Sequence, residues 1–376
     1  MAPTGSDKNL CTQAAPCLTI DRAYKTLTPG GGSVLLASGS YGPQTVARIA
    51  AKANDLVRTQ IKPQPSATVK LAGLALSADH VEVSGLTTRG YNIYGVDVQL
   101  LNVTSTDGIY ISGARDVSVI GGEVYSPVPV TTDPMISSRL GNAPTNVTLD
   151  GVWFHDFMDT DVPSANYHHI ECLQVGAGTN LTIRNSRFGP NCDTHDVFIR
   201  SWGNNTNNSP SPLTVHIENN LFEKCDVGCY ALMAYDDLYT LSPTSIEVKS
   251  NTFEPGTAWS FNWSHGRADA YGNLLPTTSA FSCAYRPPTT PGAFAPNSFF
   301  HDNLWYGSGV GCGKNAPTVP SATGLWVGNG NYHLASGSPA VDRFAVGAGS
   351  DFEGDARPQG KLDDAGADER LSYARG

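Results

Sequence analysis

The chain has 376 residues, 40% of them hydrophobic and only 15% charged, with 39 glycines and 25 prolines. That mixture disfavours long helices and favours many short strands joined by turns, and no apolar run approaches the ~18 residues of a membrane span. The 24 basic and 34 acidic residues leave a net charge of −10, a sign that repels phosphate backbones and argues against nucleic-acid binding.

In chain order, the first element is a short amphipathic helix at about 18–27 ("LTIDRAYKTL"), ahead of a first strand, "SVLLA". A helix placed there covers the open edge and apolar surface of a first strand layer. Then an octet recurs. "VTLDGVWF" (147–154) returns as "LTIRNSRF" (181–188), "VHIENNLF" (215–222) and "IEVKSNTF" (246–253), with starts 34, 34 and 31 residues apart. Looser copies stand at "VEVSGLTT" (81–88), "VSVIGGEV" (117–124) and "SFFHDNLW" (298–305). Asn185, Asn219, Asn220, Asn251 and Asn303 fall in the polar turn of the octet, where asparagine tolerates left-handed backbone and bonds to neighbouring turns.

A short-strand unit repeated in this way buries its apolar face by stacking on the next copy. Helical solenoids need a longer 3.6-residue pattern, and a propeller needs four strands per repeat; the reading that remains is a parallel β-helix with coils ~4.8 Å apart. Between the octets runs a second series of strand-like segments: "MISSRL" (135–140), "IECLQV" (170–175), "VFIRSW" (197–202), "YALMAY" (230–235) and "WSFNW" (259–263). The longer insertions, at 125–134, 155–169, 203–214, 236–245 and 264–297, flank this second series and predict a loop-walled groove over it.

Eight cysteines fall into close neighbours: Cys11 with Cys17, Cys172 with Cys192, Cys225 with Cys229, and Cys283 with Cys312. None forms the paired CxxC of a zinc site. Four disulfides in those pairs and an oxidising compartment are expected, hence a secreted chain. No leader is apparent at Met1, so the sequence reads as a mature form.

The stretch "LTIDRAYKTL…GGGSVLLASGSYG" with its paired cysteines, and the closing "YHLASGSPAVD…DFEGDARPQG…DDAGADE", resemble the two ends of secreted bacterial right-handed parallel β-helix proteins of the pectate-lyase-like superfamily. The resemblance implies an all-β, right-handed parallel β-helix with a short N-terminal capping helix. The expected division is a cap at 1–30, the β-helix at 31–335 and a tail at 336–376 packing on it. It implies a monomer and a polysaccharide partner, with neither nucleic acid nor membrane. It does not fix the activity, because the superfamily holds lyases, hydrolases, epimerases and non-catalytic surface proteins.

The densest ionisable stretch, "HDFMDTDVPSANYHHIE", carries the chemistry expected for such a fold. Strand alternation puts His169 and Glu171 on one face, with Asp196 and Arg200 within reach from the next coil. For β-elimination on an acidic polysaccharide, Arg139 or Arg200 would neutralise the uronate carboxylate. His169 or His168 would remove the adjacent proton, and Tyr235 or another histidine would protonate the leaving oxygen. Gln174, Trp202, Tyr235, Asp236, Trp263 and His265 complete the expected substrate-binding set. Asp156, Asp159 and Asp161 are candidates for calcium, and His155, His168, His169 and Glu171 form a weaker transition-metal candidate. Hydrolysis would instead use two carboxylates from among Glu171, Asp196 and Asp236. "SHGRAD" and "YDD" resemble polygalacturonase elements, but the Asn-Thr-Asp motif of that family is absent. A non-catalytic glycan-binding or cell-surface β-helix protein is the reading from a different class.

Overall fold

A computed structural model of the protein describes residues 1–138, 142–159, 169–201, 213–224, 230–236, 244–257, 259–262, 267–277, 298–311, 313–328, 330–345, 347 and 349–370. Apart from the helix Ile20–Thr26 and a short 3-10 turn, Ala50–Lys52, its regular elements are strands. Nine of them form one sheet, in the order Gln44–Val46, Leu74–Leu76, Tyr91–Ile93, Ile109–Ser112, Met135–Ser137, Glu171–Val175, His195–Ser201, Tyr230–Asp236 and Trp259–Asn262. The pairings in it are parallel, each to the strand one coil away. A 21-stranded sheet winds round the rest of each coil, and the whole is a parallel β-helix. The segments predicted from 135, 170, 197, 230 and 259 are the last five strands of the nine-stranded sheet.

The period-2 pattern explains the stacking. Val46, Leu76, Ile93, Ile111, Ile136, Val175, Ile199 and Ala234 occupy one register position in successive coils, and all are buried in the core. Their opposite-parity neighbours, Thr45, Ala75, Asn92, Tyr110, Met135, Gln174, Phe198 and Met233, form the outward row. In the octets Val81, Val98, Val117, Val147, Leu181, Val215, Ile246 and Ala268 make the corresponding inner column. β-branched side chains suit both rows because they pack well on a pleated surface.

The polar turn of the octet divides into two adjacent columns. Gly85, Asn102, Gly121, Gly151, Asn185, Asn219, Ser250, Gly272 and Asp302 all have positive φ, between 47° and 69°. Glycine adopts that conformation freely and Asn or Asp tolerate it, so the alternation of residue types there is a backbone requirement. The next column is buried: Ser186, Asn220, Asn251, Asn273 and Asn303 are at most 1% exposed. Each coil's backbone N–H in this column donates to the side-chain oxygen one coil on, from Ser186 N to Asn220 Oδ1 (2.9 Å) through to Asn273 N and Asn303 Oδ1 (3.0 Å). The aromatic that closes the octet stacks too, with Phe154, Phe188, Phe222 and Phe253 at centroid separations of 5.2, 5.3 and 4.5 Å.

Two further copies of the octet occur, starting at Val98 and Ala268. They follow their predecessors by 17 and 22 residues, counted from Val81 and Ile246. Coils with tight turns have this length, and the 30- to 34-residue spacings contain insertions.

At the N-terminal end, the helix expected at about 18–27 spans Ile20–Thr26, with Thr19 as its N-cap accepting from Arg22 N. Its Ile20 and Tyr24 are buried, and Ile20 N donates to Gln44 Oε1 at the first strand of the nine-stranded sheet. Toward the C-terminus, Leu334, Ala340, Phe344 and Ala365 form a second apolar cluster with Leu274, Leu304, Tyr306 and Leu325. Ala367 N donates to Thr252 Oγ1 and Gly366 N to Gly272 O, both 2.8 Å.

Of the four expected disulfides, two are present among the described residues, Cys11–Cys17 and Cys172–Cys192. The pairing of Cys225 with Cys229 and that of Cys283 with Cys312 are not among them. Cys225 and Cys229, like Cys283 and Cys312, lie outside the described residues.

Candidate active site

Glu171 opens the strand Glu171–Val175 and stands in register with His195, which opens the next strand. The Glu171 carboxyl is fully buried, and its Oε1 meets two imidazoles, His169 Nδ1 at 2.7 Å and His195 Nδ1 at 3.2 Å. The His169 side chain is 57% exposed, whereas His195 is 2% exposed. Spacing i, i+2 on an extended chain brings His169 to Glu171, as alternation predicts.

His195 belongs to the parity of Val197 and Ile199, yet its ring stacks on Phe198 (4.9 Å) and its Nε2 reaches Met233 Sδ (2.9 Å). Both contacts belong to the outward row, so the strand twists at its first residue. Burial and the neighbouring His169 lower the His195 pKa to about 3, which keeps the ring neutral.

Asp133 lies behind the pair. Its Oδ1 accepts from Glu171 N (2.9 Å), and burial followed by the Glu171 charge raises its carboxyl well above the ordinary range. Glu171 is raised as well, chiefly by burial and against the pull of His169. The two carboxyls are hydrogen-bonded to each other, and Glu171 Oε2 is buried with no amide or hydroxyl donor. Two buried carboxyls in contact oppose each other's ionisation, so the pair holds a proton to higher pH than an isolated carboxyl does.

Asp196 is not brought to this cluster. It is fully buried, neither carboxyl oxygen has a hydrogen-bond partner, and burial with the charges of Glu223 and Glu254 raises it strongly. The reach inferred from alternation fails because the twist that turns His195 outward sends Asp196 inside. Arg200 is five residues beyond His195, roughly 16 Å at the strand rise of ~3.3 Å per residue. Gln174 occupies the outward row at 6% exposure, and Phe198 beside it is 5% exposed, so the middle of the sheet at these coils is covered. Tyr235 and Asp236 end the strand Tyr230–Asp236, in register with Arg200 and Ser201. His168, Arg139, Trp202, Trp263, His265 and Asp161 lie outside the described residues.

His155, grouped with His169 in the sequence, is engaged elsewhere. Its Nδ1 meets Asp156 Oδ2 (2.7 Å), its Nε2 meets Glu123 Oε1 (2.9 Å), and it stacks between Trp153 and Tyr125. Asp156 also accepts from Asn191 Nδ2 (2.6 Å), and Asp159 forms a parallel bridge with Val130. Among the described residues, the groups of three His, Cys, Asp or Glu close enough to share an ion are His169/Glu171/His195 and His333/Glu353/Asp368. Neither fits calcium, which takes six to eight oxygen ligands. The second group borders a cavity of about 350 Å³ that Arg187, Tyr332 and Phe352 also line.

Sequence reasoning missed His195, Asp133 and Met233. The signal for His195 was available: it is the residue opposite Glu171 once the two strands are aligned from their first residues. Asp133 sits in an insertion, where no periodicity marks it.

No family model and no curated protein matches the chain. Among solved structures, the pectate lyase Pel9A superposes with a TM-score of 0.55 over 98% of this chain and 95% of its own, at 11% identity. The PL6 family alginate lyase AlyGC superposes with a TM-score of 0.34 over 80% of this chain and 52% of its own, at 13% identity. Among the described residues, no helix is long and apolar enough to cross a membrane. Coil by coil and across nearly its whole length, the chain has the pectate-lyase-like parallel β-helix fold.

Proposed function

We propose that the protein is a carbohydrate-active enzyme that cleaves an acidic polysaccharide by β-elimination, with His169 as the base. The observation that carries this reading is the half-exposed His169 imidazole bonded through Nδ1 to the buried carboxyl of Glu171. A general base needs accessibility and a partner that fixes its tautomer, and Glu171 supplies the second. With Nδ1 protonated and donating to Glu171, the Nε2 lone pair takes the proton from the carbon next to the uronate carboxylate. The electrons of that C–H bond form the new double bond, the glycosidic C–O bond breaks, and the leaving oxygen takes a proton from water or a neighbouring acid.

Arg200 stands too far along the strand to neutralise the carboxylate of the same sugar ring, and it suits a more distant ring of the same chain. The fold likeness to Pel9A supports a polysaccharide ligand, and the disulfides support action outside a reducing compartment. Hydrolysis by Glu171 with Asp133 is disfavoured because the two carboxyls are in contact with each other. A glycosidase needs its two carboxyls on opposite sides of the bond, ~5 Å or more apart.

The test is a panel of acidic and neutral polysaccharides, following ultraviolet absorbance of unsaturated uronate together with new reducing ends. Both signals should rise on an acidic polymer and be lost in His169→Ala. Reducing ends without absorbance would move the assignment to hydrolysis, and silence on every polymer would favour a glycan-binding protein.

A further inference from the structure

We propose that His169, Glu171 and His195 form a site for one divalent transition-metal ion of the zinc class. The donor atoms already converge: both Nδ1 atoms face the same Oε1, and all lie within 4.8 Å of one another. A tetrahedral ion with bonds of ~2.0–2.1 Å holds its ligand atoms about 3.3–3.4 Å apart. The observed 2.7 and 3.2 Å approach that spacing from the short side.

The proton count on His195 is the independent observation. Its Nδ1 faces Glu171 Oε1 at 3.2 Å and its Nε2 faces Met233 Sδ at 2.9 Å, in a ring that is 2% exposed. A neutral imidazole has one N–H, so beside a Glu171 carboxylate one of the two contacts sets lone pair against lone pair. An ion at Nδ1 removes the conflict: it accepts that lone pair, and the Nε2 proton goes to the thioether. Asp133, whose Oδ1 accepts from Glu171 N, stands behind the ligand carboxyl, as partners beyond the ligands commonly do.

Two imidazoles and one carboxylate suit zinc, cobalt or nickel rather than calcium or magnesium. The consequence for activity rests on the base assignment above. An ion on His169 Nδ1 leaves the ring proton on Nε2, where the base lone pair would be, so the ion inhibits elimination.

The test uses the full chain stripped with a chelator, titrated calorimetrically with Zn²⁺ and by visible absorption with Co²⁺. One equivalent should bind, with affinity at least tenfold weaker in His169→Ala and Glu171→Gln and unchanged in His333→Ala at the other cluster. If Glu171→Gln does not fold, His169→Ala alone decides, because its half-exposed ring can be removed without a cavity. No binding, equal binding in His169→Ala, or loss only in His333→Ala would overturn the site. Lyase activity that falls with Zn²⁺ and returns with chelator supports it. Stoichiometric, His169-dependent binding in a protein inactive on every polysaccharide would leave the ion site standing and overturn the base assignment alone.

Discussion

Asn251 Oδ1 accepts from both the backbone N and the Nδ2 of Asn220, at 2.9 and 3.0 Å, so one side chain satisfies two buried donors of the coil before it. Its own Nδ2 donates to Ile217 O and Asn273 Oδ1. Asn251→Ala removes the acceptor of the buried Asn220 N and the side-chain donor to Ile217 O. Unsatisfied buried groups cost about 1–3 kcal/mol each. Urea unfolding should show destabilisation at the upper end of that range, and a partly exposed octet position such as Lys249→Ala should change little.

Glu247 and His216 set an acid and a basic limit on the stability of one stretch of the octet sheet. The hydrogen bond from His216 lowers the Glu247 pKa from 4.5 to about 2, with Tyr271 assisting against burial. The same hydrogen bond raises His216 above 6.5. The depressed carboxyl adds stability above pH 4.5 that is lost as pH falls toward 2, and the raised imidazole adds stability below pH 6.5 that is lost as pH climbs through its folded value. The pair therefore contributes most between pH 4.5 and 6.5, within about 1 kcal/mol because both groups are partly exposed. Thermal midpoints against pH should be flatter at both ends for Glu247→Gln than for the parent.

The Cys172–Cys192 disulfide ties the strand that carries Glu171 to the turn before the strand that carries His195. Its sequence separation is 20 residues, and closing a loop of that size contributes about 3 kcal/mol in the chain-entropy account. The double variant Cys172→Ser/Cys192→Ser should lower the thermal midpoint by an amount consistent with that figure. It should also lower activity or ion affinity more than Cys11→Ser/Cys17→Ser, which opens a loop far from the histidines.

His169→Ala, measured in the presence of a chelator, should reduce the elimination rate by about 10²- to 10⁴-fold, the usual contribution of a positioned base. The thermal midpoint should barely move. A rate unchanged by the substitution would exclude His169 from the chemistry.

Much of the scaffold was legible because it repeats. The octets from 147 to 253 pair in the register of their alignment, and strands stand where the segments from 135, 170, 197 and 230 were expected. The octets at Val98 and Ala268 were not recognised, because a search tuned to 31–34 residues passes over coils of 17 and 22. The His169–Glu171 contact followed from alternation, but alternation cannot report a strand that twists at its first residue. Starting the strand at Val197 left His195 in a loop and placed Asp196 on the wrong side. Asp133 could not be found by pattern at all, since it reaches Glu171 across the coil boundary from an insertion.

The left-handed column that runs from Gly85 to Asp302 has a consequence for how such a chain can change over generations. Each of these nine coils turns at the same place by the same backbone conformation, and none depends on its ordinal number. A duplicated coil thus enters the stack as a whole, supplying its own asparagine and its own ring, and lengthens the molecule without disturbing the copies on either side. A single inserted or deleted residue inside an octet has no such freedom, because it moves inner side chains to the outer row in one coil alone. Gene segments coding for whole coils are therefore the natural unit of gain and loss in this lineage, and the intervening loops are where a new chemistry can be tried while the stack stays intact.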